Sequence, residues 1–225
     1  MLLSQNEISQ KTLDEQLVVI EGDATDREAV KRTLFVKNNN ENESEFVSFV
    51  FFGIGGSPTL RFSLKNPVTL DNPWVCEKSM QAIIDSLNEV QRAQAQSSYV
   101  GPGLAIVSTT GISDGPIDVP FGLRWMYRFL LFVPHEDKRR MESIVKSAAE
   151  ENLFSYATTV RCSLLTGDHK IKEQSGDVSL KVGTSKNPTV GYTIPRTVVG
   201  GWMFENILIS SNQQQSGYSV ITLTT

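Results

Sequence analysis

Cysteine is scarce in this chain, with only Cys76 and Cys162 among 225 residues. That excludes a disulfide-stapled framework, and their spacing suits neither a metal site nor a redox pair; both read as buried thiols of a reducing compartment. Histidine is equally sparse, and His135 and His169 are the whole supply. One follows an apolar segment at a helix start and the other sits in a polar turn, so local structural roles are preferred over a shared metal site or triad. No apolar run reaches the roughly eighteen residues that a membrane-spanning helix needs. The first residues, Met1 to Glu7, lack a basic region and a long apolar region, which argues against a secretory signal.

A phosphate-binding loop is also missing. Gly53-Ile54-Gly55-Gly56 follows an apolar segment, but no Lys-Ser or Lys-Thr pair completes the motif, and turn glycines are the simpler reading. Asp114 and Asp118 are only four residues apart in a loop, a spacing that suits turn chemistry at least as well as acid/base work. With no nucleophile and base in an evident pair, the sequence predicts a protein that is not an enzyme and calls for no cofactor and no metal.

Charge is present but unevenly placed. The net charge is −4, and residues 1 to 45 hold ten acidic and five basic side chains. This acidic stretch ends in Asn38-Asn39-Asn40-Glu41-Asn42-Glu43-Ser44-Glu45 and is expected to be a flexible arm, with a short strand at Leu17 to Ile20 and a short helix from Asp26, its cap, through Phe35. Residues 46 to 182 are expected to form the core, and residues 183 to 225 a β-rich extension packed on it.

The expected fold class is α+β, an antiparallel sheet covered by two amphipathic helices with a β-rich C-terminal part. Phe46 to Phe52 is almost continuously apolar and reads as a buried strand, paired in a hairpin with the alternating Thr59 to Leu64. Asn72-Pro73 signals a helix start, and Met80, Ile83, Ile84, Leu87 and Val90 recur at helical spacing through a helix from Trp74 to about Gln96. Leu104 to Ser108 is a short strand. Phe121 to Val133 is dense in aromatics and follows a loop rich in Gly and Pro, so it is predicted to be a long central strand. A second amphipathic helix begins at Pro134, with Met141, Ile144, Val145, Ala148 and Ala149 on its buried side. Phe154 to Leu165 alternates like another strand. Strands are further predicted at Val178 to Val182, Thr189 to Ile194, Val198 to Phe204, Asn206 to Ser210 and Ser219 to Thr224.

Two patterns suggest binding. Arg124 and Arg128 interleave with Trp125 and Tyr127, as in strands that bind single-stranded nucleic acid, although a strand with one wet face needs polar residues there anyway. Lys138, Arg139 and Arg140 cluster at a helix start, where the helix dipole disfavours them. With Lys146, Lys170 and Lys172 they form a candidate patch for an anionic membrane, and a solvated helix face is the competing reading. Ile112 and Ile117, in the loop from Gly111 to Pro120, are candidates for contact with lipid or with a second copy.

The segment Val119-Pro120-Phe121-Gly122-Leu123-Arg124-Trp125-Met126-Tyr127-Arg128, together with the order of elements over residues 45 to 182, resembles rhabdovirus matrix proteins. The resemblance implies a structural protein that self-associates beneath a viral envelope and supports assembly and budding. Its implied partners are other copies of itself, the viral nucleocapsid, an anionic membrane surface and a viral glycoprotein tail. Its implied locations are the virion, the host cytoplasm and nucleus, and the inner face of the host membrane. The acidic arm departs from the lysine-rich N-terminus of that family, which shifts membrane contact to Lys138, Arg139, Arg140, Lys146, Ile112 and Ile117. The alternative is a plant-virus movement or capsid protein binding single-stranded RNA through Arg124, Trp125 and Arg128; a small hydrolase using His135 or His169 ranks third.

Overall fold

The structure is a computed structural model that describes residues 8–37, 44–60, 68–94, 99–167, 179–209 and 217–225. The chain runs α1 (Gln10–Gln16), α2 (Arg27–Thr33), β1 (Phe35–Lys37), β2 (Ser44–Phe46), β3 (Phe49–Phe52), β4 (Pro58–Leu60), β5 (Val68–Leu70), α3 (Val75–Ala93) and β6 (Gly103–Thr109). A 3₁₀ turn (Phe121–Leu123) leads into α4 (Arg124–Phe129), followed by α5 (Phe132–Glu150), β7 (Tyr156–Cys162), β8 (Leu164–Thr166), β9 (Lys181–Thr184) and β10 (Thr193–Pro195). Helix α6 (Arg196–Met203), a π-helical segment (Phe204–Ile209) and β11 (Gly217–Thr224) complete it.

Helices and strands mix as the sequence indicates, but the main sheet is mostly parallel rather than antiparallel. Its five strands lie in the order β3-β6-β7-β11-β9. The first four run parallel, with Phe49 opposite Gly103, Gly103 opposite Tyr156 and Gly217 opposite Tyr156, and β9 closes the edge antiparallel to β11. The reason lies in the connections. A strand joined to its neighbour through a helix returns in the same direction, and α3 and α5 each make such a crossover.

The two long helices share one face of the sheet. Met80 and Leu87 of α3 and Met141 and Val145 of α5 meet Leu104, Ile106 and Ala157 of the strands in one buried cluster. Each of the larger of these side chains contributes about 1.5–3 kcal/mol relative to exposure. The opposite face is covered by Val199, Met203 and Ile207, which pack on Ala105, Val160, Cys162 and Leu223. Val30 and Leu34, from the acidic N-terminal stretch, enter the first cluster beside α3.

Several expected elements differ. Phe121 to Val133 is not a strand: it forms the 3₁₀ turn, α4 and the start of α5. Val198 to Phe204 and Asn206 to Ile209 are helical, because Val199, Met203 and Ile207 recur every four residues against the sheet. Strand β4 pairs with β5 rather than with the strand before it, while residues 61–67 lie outside the described residues. Leu17 to Ile20 forms no strand. Asp26 does cap α2, accepting from the amide of Glu28 at 3.0 Å.

Helix α3 starts without a side-chain cap of its own, since Trp74 stands at its N-cap in a left-handed conformation with φ 69°. Asp137 of α5 supplies the missing acceptors, its Oδ2 taking the amide of Cys76 at 3.0 Å and its Oδ1 that of Glu77 at 2.9 Å. The two helices are thereby pinned together at the end of the sheet where β3 and β6 terminate.

Candidate active site

In an open parallel sheet, ligands settle beyond the carboxyl ends of the strands. Here those ends are tied by one side chain. The ammonium of Lys138 donates to the carbonyl oxygens of Ile54, just past β3, and Val107, near the end of β6, each at 2.9 Å. Between β3 and β4 the chain passes through Gly53-Ile54-Gly55-Gly56, and a Cβ on Gly53 or Gly55 would meet open space.

Beside this tie lies a cavity of about 400 Å³, built from the loop after β6 and the starts of α4 and α5. Gly111 shapes the loop with φ +85°, and a Cβ there would stand 2.4 Å from the ring of Tyr127. The Gly111 amide donates to Oδ1 of Asp118 at 2.9 Å. Among the described residues, Oδ2 of Asp118 and Oγ of Ser108 are buried without a hydrogen-bond partner. An unpaired buried polar atom costs about 1–3 kcal/mol; of these two, Asp118 lines the cavity.

Aromatic and basic groups complete the lining. Tyr127 meets His135 edge-on with ring centroids 5.0 Å apart. Burial, with the charge of Arg139 in second place, pulls the His135 imidazole down to about 4, so it is neutral near pH 7. Burial also raises the Tyr127 phenol, with the Asp118 carboxylate adding to the effect and the Thr110 hydroxyl opposing it. Next along the sheet, Ser108 faces Arg161 across β6 and β7. Arg161 donates to Glu142 from Nε at 3.1 and 3.2 Å and from Nη2 at 2.6 Å, a nearly buried pair. Within the cavity a free carboxylate oxygen, that of Asp118, and a neutral imidazole, that of His135, are groups able to hold and move protons.

Of the candidates named from sequence, Asp118, His135, Arg124, Arg139 and Ile117 all line this cavity. Asp114 is exposed in the same loop and does not line it. Ile112 is buried, which withdraws it from any surface contact. The basic helix start presents no free patch. Lys138 is spent on two carbonyls, and Arg139 and Arg140 both pair with Glu136, at 2.6 and 3.1 Å. Arg140 also lies over the Trp74 ring at 4.5 Å, and Lys146 is 3.9 Å from Glu150. Arg124, Trp125 and Arg128 share α4 rather than a strand; the side chain of Arg128, and all of His169, Lys170 and Lys172, lie outside the described residues.

Sequence reasoning missed Ser108, whose signal was a hydroxyl at the end of an apolar strand, and Lys138 as a strand tie. Burial raises the thiols of Cys76 to about 11 and Cys162 to about 12, which leaves both unreactive. Among the described residues no cluster of three or more His, Cys, Asp or Glu side chains is placed to hold a metal ion, and no helix is long and apolar enough to cross a membrane. A separate cavity of about 370 Å³ runs along the outer edge of β3. Its one acid, Asp23, is engaged by the amide and hydroxyl of Thr25, both at 2.8 Å.

No protein-family model matches the chain. Two fungal proteins do match nearly all of it. A protein named reductase pytE, from Aspergillus terreus, is 34% identical over 231 residues, covering 99% of this chain and 83% of its own length. A protein named oxidase pynE, from Aspergillus niger, is 34% identical over 226 residues, covering 92% of this chain and 79% of its own. The chain belongs to the pytE and pynE family. That kinship spans nearly the whole chain, where the likeness to rhabdovirus matrix proteins rested on ten residues and an element order, and it overturns that reading. The viral structural role falls with it, as do the nucleocapsid, envelope-membrane, glycoprotein-tail and self-assembly partners, the virion location, and the movement or capsid alternative. The relatives' names, reductase and oxidase, also correct the expectation of a protein that is not an enzyme.

Proposed function

We propose that this chain is an oxidoreductase acting on a small organic molecule at the carboxyl ends of its parallel strands. The observation that carries the reading is the 34% identity to one protein named a reductase and another named an oxidase, each over more than nine-tenths of the chain. What the two names share is oxidation and reduction, so redox chemistry is the common ground rather than its direction. The cavity beside Asp118 supports the reading. Asp118 presents the unpartnered atom that would hold a reacting hydroxyl, and His135, kept neutral, can donate or accept a hydrogen bond there.

A dinucleotide redox cofactor seats its pyrophosphate on a glycine turn that opens a helix. The glycine turn after β3 and the start of α3 do not meet that requirement. Gly53-Ile54-Gly55-Gly56 leads into β4 and not a helix, and the first amides of α3 are already taken by Asp137. The chain's own residues bind the organic substrate, exclude water from it and handle its proton.

The test is turnover by the full chain. Purified protein is offered reduced nicotinamide and reduced flavin donors in turn with a panel of aromatic aldehydes and ketones, and the reverse direction is assayed with the alcohols. Consumption of one donor coupled to carbonyl reduction, or its reverse, is expected. Inactivity with every donor and acceptor, in protein shown to be folded, overturns the reading.

A further inference from the structure

The aromatic side chains of α4 are not accounted for by the core. Phe121, Trp125 and Phe129 recur every four residues, which stacks them along one side of the turn and helix, and they are 84%, 76% and 48% exposed. Trp125 and Phe129 are stacked, with ring centroids 4.6 Å apart and planes 24° from parallel. The guanidinium of Arg124 sits 5.4 Å from the centroid of the Phe121 ring. With Gly122 these four side chains line a cavity of about 410 Å³. Contiguous apolar surface of this kind on a water-facing helix marks a place of contact.

Arg124 also lines the cavity that holds Asp118 and His135, so it is common to both spaces. It makes no ion pair among the described residues, and its Nε reaches only the carbonyl oxygen of Val119, at 3.5 Å. The nearby bases differ: Arg139, Arg140 and Lys146 are each paired with a glutamate. A face made to lie on anionic lipid would carry several free bases around the aromatics, whereas among the described side chains this one carries a single guanidinium outside an ion pair, between two small-molecule-sized spaces.

We propose that Phe121, Arg124, Trp125 and Phe129 form the specificity site for the substrate, and that the substrate is a planar conjugated acid. This rests on the oxidoreductase reading above. The flat rings lie along the Trp125–Phe129 face, where stacking favours planar over saturated frameworks. The carboxylate or enolate meets Arg124, and the remainder of the molecule extends past it into the cavity beside Asp118 and His135.

Titration calorimetry with the full chain tests this, using naphthoic acid as the planar acid, naphthamide as its uncharged counterpart and decalin carboxylic acid as its saturated counterpart. Naphthoic acid is expected to bind about tenfold more tightly than either, a difference of about 1.4 kcal/mol. Arg124→Gln should abolish the preference for acid over amide, and Trp125→Leu the preference for planar over saturated. Both positions are exposed, so the variants should melt as the parent does. Equal affinity for all three compounds, unchanged binding in Trp125→Leu, or binding of phosphatidylglycerol vesicles in place of naphthoic acid would overturn the proposal. Selective naphthoic acid binding in a chain devoid of redox turnover would uphold the site and remove the oxidoreductase reading. Turnover of carbonyl compounds without naphthoic acid binding would do the reverse.

Discussion

The ammonium of Lys138 lies 2.9 Å from the carbonyl oxygen of Val107, so a helix side chain holds the end of a central strand. Its second bond, to Ile54 at the same distance, brings the end of β3 into the same tie. Lys138→Met keeps the apolar stem and removes the donors, so the Val107 carbonyl loses its charged donor and that of Ile54 keeps only the weak thiol donor of Cys76, at 3.3 Å. A loss of about 2–3 kcal/mol is expected, since bonds from a charged donor are the stronger kind. It would appear as a lower urea midpoint at an unchanged denaturant slope.

Asp137 replaces a cap that Trp74 cannot provide. Asp137→Ala strands the amides of Cys76 and Glu77 at the buried start of α3. The expected cost is about 2 kcal/mol, at the upper end for a helix cap. Asp137→Asn keeps one acceptor oxygen and should lose about half as much, and thermal melts of the two variants distinguish the cases.

The Glu142–Arg161 pair is nearly buried, with side-chain exposures of 7% and 12%. Glu142→Gln alone leaves the guanidinium without its countercharge and should cost about 3 kcal/mol or more. Replacing both residues with leucine and methionine removes the charges together and is expected to recover most of that loss. A double-mutant cycle in denaturant reads the coupling directly.

His135 makes stability depend on pH. Its folded value, lowered to about 4 by burial, lies below the ordinary 6.5, so the unfolded chain binds a proton between those values that the folded chain does not. Stability from this group is complete above about pH 6.5 and falls as the pH drops toward 4, by on the order of 3 kcal/mol. Denaturation midpoints at pH 7 and pH 4.5 should differ clearly in the parent and much less in His135→Phe.

Much of the framework is legible from periodicity. The apolar stripe Met80, Ile83, Leu87 and Val90 predicts α3, and the alternation from Phe154 to Leu164 predicts one long strand where β7 and β8 follow one another with a break at Ser163. The parallel direction was hidden by one misreading. Phe121 to Val133 has the aromatic content of a strand, and reading it as one inserted an extra strand between β6 and α5 and broke the strand-helix-strand rhythm that implies parallel pairing. The helical signal was present all the same, because Phe121, Trp125, Phe129 and Phe132 fall at spacings of four, four and three. What hid it was that these rings are exposed, so no amphipathic core stripe is formed. Likewise Gly200 and Gly201 argue against a helix on propensity, yet α6 forms because Val199, Met203 and Ile207 reach the sheet from one side.

The site was partly legible. Asp118 and His135 stood out as the few groups with chemistry, but their convergence depends on α4 folding back beside the loop after β6, which no local pattern records. Ser108 and Lys138 looked like an ordinary strand end and an ordinary helix charge. Only the burial of the first and the two carbonyl contacts of the second set them apart.

The claim that the chain is an oxidoreductase working at the carboxyl ends of its strands is tested most directly by kcat/KM for the parent, Asp118→Asn and Lys146→Ala. Asp118→Asn retains an oxygen for the Gly111 amide and so should stay folded, while Lys146 is exposed on α5 in an ion pair with Glu150 and does not line the cavity. Redox turnover is expected to fall by about a hundredfold or more in Asp118→Asn, in line with loss of a proton-handling group, and to be unchanged in Lys146→Ala. Absence of redox turnover in the parent, or full activity in Asp118→Asn, would contradict the claim.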